Sequence, residues 1–184
     1  EGVLNSWEVL RDNPPLGKNV AVIGGGAVGL ETALFVAGKG TINAETLEFL
    51  FRYEAASPER LRELCFKGTS KVVVFEMLPK AGKDVGKSTK WVLFDSLKRH
   101  NVKIKTDAKV ISLDSGSVTW DKDGEEHTRD FDHVIIAAGS KSLNPLEAPL
   151  AELEIPFTLI GDCLEPGKIN NAIHGGFLAA LDIS

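Results

Sequence analysis

Short apolar runs rich in β-branched residues recur along the chain: Asn19–Ile23 (NVAVI), Val72–Phe75 (VVVF), His133–Ala137 (HVIIA) and Phe157–Ile160 (FTLI). Each is strand length and lacks the alternation of a half-exposed strand, which predicts strands buried on both faces. Between them the apolar residues take helical spacing. Leu30–Ala37 (LETALFVA) predicts a helix that Gly38 ends, Thr89–His100 a second amphipathic helix, and Ile169–Ile183 a closing one. Residues 39–70 read as a helical insertion, with Leu47, Leu50 and Phe51, then Leu61, Leu64 and Cys65, at helical spacing. Ser57 before Pro58 and Glu59 is a cap for its second part.

The period changes after Lys103–Lys105, itself a short strand. Lys109–Leu113, Ser117–Asp121 and Glu125–Phe131 alternate more loosely, with turn chemistry at Ser115-Gly116 and Asp123-Gly124. That pattern predicts a small antiparallel meander. Residues 1–18, with Pro14, Pro15 and Gly17, read as a short helix or coil and a turn, and Pro145–Leu153 as a loop and short helix. The expected fold is α/β, a Rossmann-like parallel sheet with helices on both faces and a small antiparallel β-meander insertion.

Composition adds bounds. The 184 residues are 43% hydrophobic and 26% charged, so one ordinary globular domain with an appendage is expected. With 21 Lys and Arg against 26 Asp and Glu the net charge is −5, and neither a nucleic-acid nor a membrane partner is expected. Cys65 and Cys163 lie far apart and form no CxxC pair, which points to a reducing, cytoplasmic compartment. Glu1 stands where an initiator Met would, with no basic-then-apolar leader, so the polypeptide is expected to be part of something longer.

The chemistry sits at Gly24-Gly25-Gly26-Ala27-Val28-Gly29, a GxGxxG that follows a buried strand and opens a helix. Gly24 serves the tight turn, Gly26 admits a pyrophosphate close to the backbone, and Gly29 lets helix and strand pack closely. Free N–H groups at the helix start, with the helix dipole, suit an anionic ligand. The fingerprint calls for an acidic residue at the end of the second strand, and Glu76 stands there directly after Phe75. Its distance exceeds the usual spacing of about 20 residues because 39–70 intervene. A carboxylate there repels the 2′-phosphate of NADPH by up to about 4 kcal/mol at 4 Å. This favours NADH, with NADPH the lesser choice. Lys80, Lys83 and Lys87 are the counterweight.

Other motifs fail on inspection. Gly82-Lys83-Asp84-Val85-Gly86-Lys87-Ser88 imitates a P-loop but is one residue short between its glycines. Tyr53 has no lysine four residues on, there is no GxSxG, and His100, His127, His133 and His174 lack metal-ligand spacing. No hydride acceptor is visible, so it is either a flavin or lies elsewhere in the polypeptide.

Four stretches resemble the old yellow enzyme-related multidomain flavoproteins, the NADH:flavin oxidoreductase/NADH oxidase family that includes 2,4-dienoyl-CoA reductase and 2-enoate reductase. They are GKNVAVIGGGAVGLETALFVA (17–37), with Glu31 two past the last glycine, the insertion at 39–70, KDVGKSTKWVLFDSLKRHNVKI (83–104), and FDHVIIAAGS (131–140) with FTLIGDCLEPGKINNAIHGGFLAALDI (157–183). The resemblance implies a pyridine-nucleotide domain whose Gly24–Gly29, Glu31 and Glu76 hold the nicotinamide cofactor, with Gly139 in the crossover. It also implies that Gly161 and Asp162 contact an FAD shared with chain outside this segment. FMN on a barrel and a 4Fe-4S cluster are implied only for the parent enzyme. The crossover after Gly139 lacks the family's proline.

On that resemblance, residues 1–18 are a linker or crossover from a flavin domain, 19–140 the NAD(P)-binding domain (39–70 a helical insertion, 107–131 the meander), and 141–184 the return into the FAD domain. The expected function is delivery of hydride from NADH to FAD for reduction of an α,β-unsaturated acyl-CoA or acid, the isolated segment being inactive. The partners implied are the flavin domain and FMN barrel of the same parent chain. Three other readings stay open: a reductase of a small electron carrier, a non-catalytic nucleotide-responsive module, and an amine dehydrogenase domain.

Overall fold

A computed structural model describes residues 2–114 and 116–183. Ser115, half of one expected turn, and the terminal Glu1 and Ser184 lie outside the described residues. The chain divides into two compact units, one up to Ala138 and one from Gly139 onward.

In the first unit, β1 (Val3–Asn5), β2 (Asn19–Ile23), β3 (Lys71–Phe75), β4 (Lys103–Lys105) and β8 (His133–Ile136) form a parallel sheet in the order β1-β8-β2-β3-β4. Val20, Ala21, Val22 and Ile23 of β2 pair with Val72 to Phe75 on one side and His133 to Ile136 on the other. The chain runs outward from β2 through β3 to β4, then crosses back to β8. The carboxyl end of β2 is therefore at a topological switch point, where open parallel sheets leave a crevice.

Alternate residues of the strands enter two different cores, as a period of two requires. Val20, Val22, Val72, Val74 and Ile135 pack with Val9 of α1 (Ser6–Asp12), Leu30, Ala33 and Val36 of α2 (Ala27–Gly38), and Leu97 of α5 (Lys90–Arg99). On the other face Ala21, Val73, Phe75 and Val134 pack with Ala108, Val118, Trp120 and Phe131. Where helices on both faces were expected, the helices entering a core lie on one face. A three-stranded antiparallel sheet, β5 (Lys109–Asp114), β6 (Ser117–Lys122) and β7 (Glu125–Asp130), supplies the second. Asp123 (φ +56°) and Gly124 (φ +82°) both take positive φ in the β6–β7 hairpin, the requirement of a type I′ turn.

Residues 3–12, read from sequence as part of a linker, form β1, the edge strand paired with β8, and α1. The polar sequence hid β1 because it is only three residues long, with Val3 and Asn5 exposed. The 39–70 insertion forms α3 (Ala44–Arg52) and α4 (Pro58–Phe66), and the Ser57 hydroxyl accepts the Arg60 amide as its cap. Leu61 is buried, but Phe51 is 72% exposed and no residue of α3 is fully buried, Leu47 and Leu50 being half-buried.

The second unit holds α6 (Glu147–Glu152), a 3-10 turn at Gly161–Cys163 and α7 (Ile169–Leu181). The strand expected at 157–160 does not form. Phe157 and Ile160 are exposed, and among its described residues the unit has no strand to supply a hydrogen-bonding ladder. No helix among the described residues is long and apolar enough to cross a membrane.

Candidate functional site

The loop after β2 is set by close backbone approaches that only glycine permits. Gly24 (φ +109°) donates its amide to the Phe75 carbonyl at 2.9 Å, and a Cβ there would lie 2.3 Å from the Ala137 carbonyl oxygen. Gly29 lies so near the loop that a Cβ would reach within 1.9 Å of the Gly24 oxygen. Helix and strand ends are thereby pressed together, which brings the first turn of α2 to the switch-point crevice. Gly26 is the N-cap of α2 in extended conformation (φ −72°, ψ −176°) and has no side chain with which to cap it.

Glu76 comes to this loop from the next strand. Its Oε2 accepts the Gly25 amide at 2.8 Å and its Oε1 accepts the Leu78 amide at 2.8 Å. The residue is only 8% exposed, so these two N–H groups offset the cost of burying a carboxylate. Each oxygen retains a second lone pair, so the same carboxylate has acceptor capacity left for vicinal hydroxyls.

The segment after Glu76 lies over the loop. Gly82 donates its amide to the Gly25 carbonyl at 2.7 Å, and the Lys90 ammonium donates to the Gly82 and Ala81 carbonyls at 2.7 and 3.2 Å. Asp84, from the stretch that imitates a P-loop, accepts the Ala27 amide on Oδ1 at 2.9 Å and Oδ2 at 3.1 Å. Sequence reasoning did not single out this acid. Its only signal was the Gly82 and Gly86 spacing, which marks a loop and not its destination.

The structure thus brings Gly24, Gly25, Gly26, Ala27, Val28, Gly29 and Glu76 to one place. Val28 contributes its carbonyl, which accepts the buried Thr32 hydroxyl at 2.7 Å. Glu31 is exposed and lines a separate, shallow cavity of about 480 Å³ with Asn13, Leu34, Phe35 and Lys39. Gly139, Gly161 and Asp162 belong to the second unit. Gly139 (φ +94°) has open space around it, so its backbone angle favours glycine there. Gly161 (φ +61°) lines a cavity of about 600 Å³, and the exposed Asp162 accepts the Gly167 amide at 3.1 Å.

A cavity of about 650 Å³ lies at the opposite end of the sheet, among Lys18, Arg62, Phe66, Lys71, Arg99 and His100. Lys67 and Arg99 there stand at the C-terminal ends of α4 and α5, where cations complement the helix dipoles.

The pyridine nucleotide-disulphide oxidoreductase family matches residues 3–156 of this chain. A metal reductase of Desulforamulus reducens is 37% identical over 179 residues, covering 97% of this chain and 27% of its own length. A solved 2-naphthoyl-CoA reductase in complex with 2-naphthoyl-CoA is similar over 98% of this chain and 23% of its own (TM-score 0.69, 22% identity). Histamine dehydrogenase from Rhizobium sp. 4-9 is similar over 100% of this chain and 25% of its own (TM-score 0.72, 16% identity). At those identities the two structures show a shared fold alone. The chain spans about a quarter of the length of the curated relatives it matches.

Proposed function

The chain belongs to the pyridine nucleotide-disulphide oxidoreductase family, and from that premise we propose that it is the NADH-binding part of a multidomain flavoprotein reductase. The observation that carries this reading is the hydrogen bond from the Gly25 amide to Glu76, which joins the glycine loop to the acid that the fingerprint calls for. The loop fits such a ligand: Gly26 keeps side-chain bulk away from the start of α2, and Glu76 has lone pairs for the adenosine ribose. When bound, NADH supplies a hydride to a flavin. The chain's own part is to hold and orient: first-turn amides of α2 for the pyrophosphate, Glu76 for the ribose. Gly161 and Asp162 hold part of an FAD whose remaining contacts come from the rest of the parent polypeptide, and residues 141–184 are its return segment. In the parent, the electrons reduce an α,β-unsaturated acyl-CoA or acid.

A second reading is favoured by the 37% identical relative named a metal reductase. In it the parent passes electrons to an external acceptor, a metal ion or a small electron carrier. Assaying the full-length parent with an enoyl thioester and with such acceptors separates the two.

The binding reading is tested by calorimetric titration of the 184-residue chain with NADH and then NADPH at one salt concentration. NADH is expected to bind at least tenfold more tightly, a difference of about 1.4 kcal/mol. A folded chain that binds neither nucleotide sinks the reading.

A further inference from the structure

The dinucleotide site contains an acid that the proposed docking does not use. Both carboxylate oxygens of Asp84 lie on the Ala27 amide, at 2.9 and 3.1 Å, and a Cβ on Gly26 would approach them within 3.2 Å. None of the ion pairs among the described residues includes Asp84, although Lys83 and Lys87 are close to it in sequence. Its charge therefore faces the positive end of the α2 dipole and a first-turn amide. That is where a GxGxxG loop directs a pyrophosphate.

We propose that Asp84 is a built-in competitor of the pyrophosphate: carboxylate and dinucleotide take the same helix start, and docking requires Asp84 to leave. This rests on the dinucleotide reading above and adds regulation of that site. Two anions cannot share one amide without repulsion, so the affinity observed for nucleotide is reduced by the fraction of molecules in which Asp84 holds the position. The segment that carries it is anchored on both sides of Asp84: the Gly82 amide bonds Gly25, the Lys90 ammonium holds Ala81 and Gly82, Leu78 bonds Glu76 and Asp107, and Ala81 and Val85 pack against the core, while Lys83 and Asp84 between them are exposed. The exposed Lys83–Asp84 corner, between the buried Gly82 and the half-buried Val85, is therefore the flap whose release accompanies nucleotide binding. Lys90 sets how readily it lifts.

The test is titration of the 184-residue chain with NADH and with ADP-ribose, in the parent sequence and in Asp84→Asn, Asp84→Ala and Lys90→Met, with folding checked by circular dichroism. ADP-ribose keeps the pyrophosphate and omits the nicotinamide. Both Asp84 variants are expected to bind each ligand at least tenfold more tightly than the parent sequence. Lys90→Met, which unpins the flap without touching the fingerprint, shifts affinity in the same direction and serves if an Asp84 variant does not fold. If the parent sequence binds and the folded variants bind equally or less tightly, Asp84 is an ordinary helix cap and the proposal is overturned. If no form binds either ligand, the dinucleotide reading fails, and the competition with it.

Discussion

The Glu76 carboxylate accepts the Gly25 amide at 2.8 Å across 51 residues of sequence, so the acid that follows β3 fastens the loop that follows β2. With Leu78 on its other oxygen it is a buried, satisfied anion. Glu76→Ala leaves two amides without that partner, and a loss of about 1–3 kcal/mol is expected in urea unfolding. Glu76→Gln keeps an acceptor for one of them and loses less.

The same carboxylate sets the expected nucleotide preference. Glu76→Gln removes the charge that opposes a 2′-phosphate, so the ratio of NADPH to NADH dissociation constants falls toward one. An unchanged ratio would assign the discrimination elsewhere.

Gly24→Ala forces a side chain to a φ of +109° and to within 2.3 Å of the Ala137 carbonyl oxygen. Neither contact yields without moving the ends of β2 and β8. The expected cost is about 2–4 kcal/mol, read as a lower urea midpoint, with a matching loss of NADH binding.

Trp120 joins the meander to the sheet. It is 5% exposed, its ring lies 4.8 Å from that of Phe75, and Phe75 also meets Phe131 edge-on at 5.9 Å. Trp120→Ala opens a cavity between the two sheets and is expected to cost about 3–5 kcal/mol. Thr119→Ala, on the same strand but partly exposed, costs far less, which separates packing from strand propensity.

Lys105 carries the expected pH dependence. Burial, and then the positive charges of Arg129, Lys122 and Lys103, hold its ammonium below the ordinary value of 10.5. The folded chain therefore binds this proton more weakly than the unfolded chain. Between the lowered value and the ordinary one the unfolded state holds more proton, so this group makes stability rise with pH there. Below both values its cost is present in full. Lys105→Met flattens that alkaline rise relative to the parent sequence, as read from urea midpoints at a series of pH values.

Local pattern made much of the fold legible. β2, β3 and β8 announce themselves as short apolar runs because both of their faces are buried, and the type I′ turn at Asp123-Gly124 is written in residues that tolerate positive φ. The glycine loop was visible because its spacing encodes a strand, a turn and a helix start, and Glu76 because it directly follows the apolar run of β3. Tertiary structure alone decided the rest. β1 is a strand because β8 offers it a ladder, whereas the apolar run at 157–160 pairs with no strand among the described residues. The meander rather than helices covers the second face because Val118, Trp120 and Phe131 fold onto Phe75. Asp84 reaches the Ala27 amide only because the loop after Glu76 returns over Gly25 and is held there by Gly82 and Lys90. A hydrogen bond between residues 57 positions apart leaves no period in the chain to read.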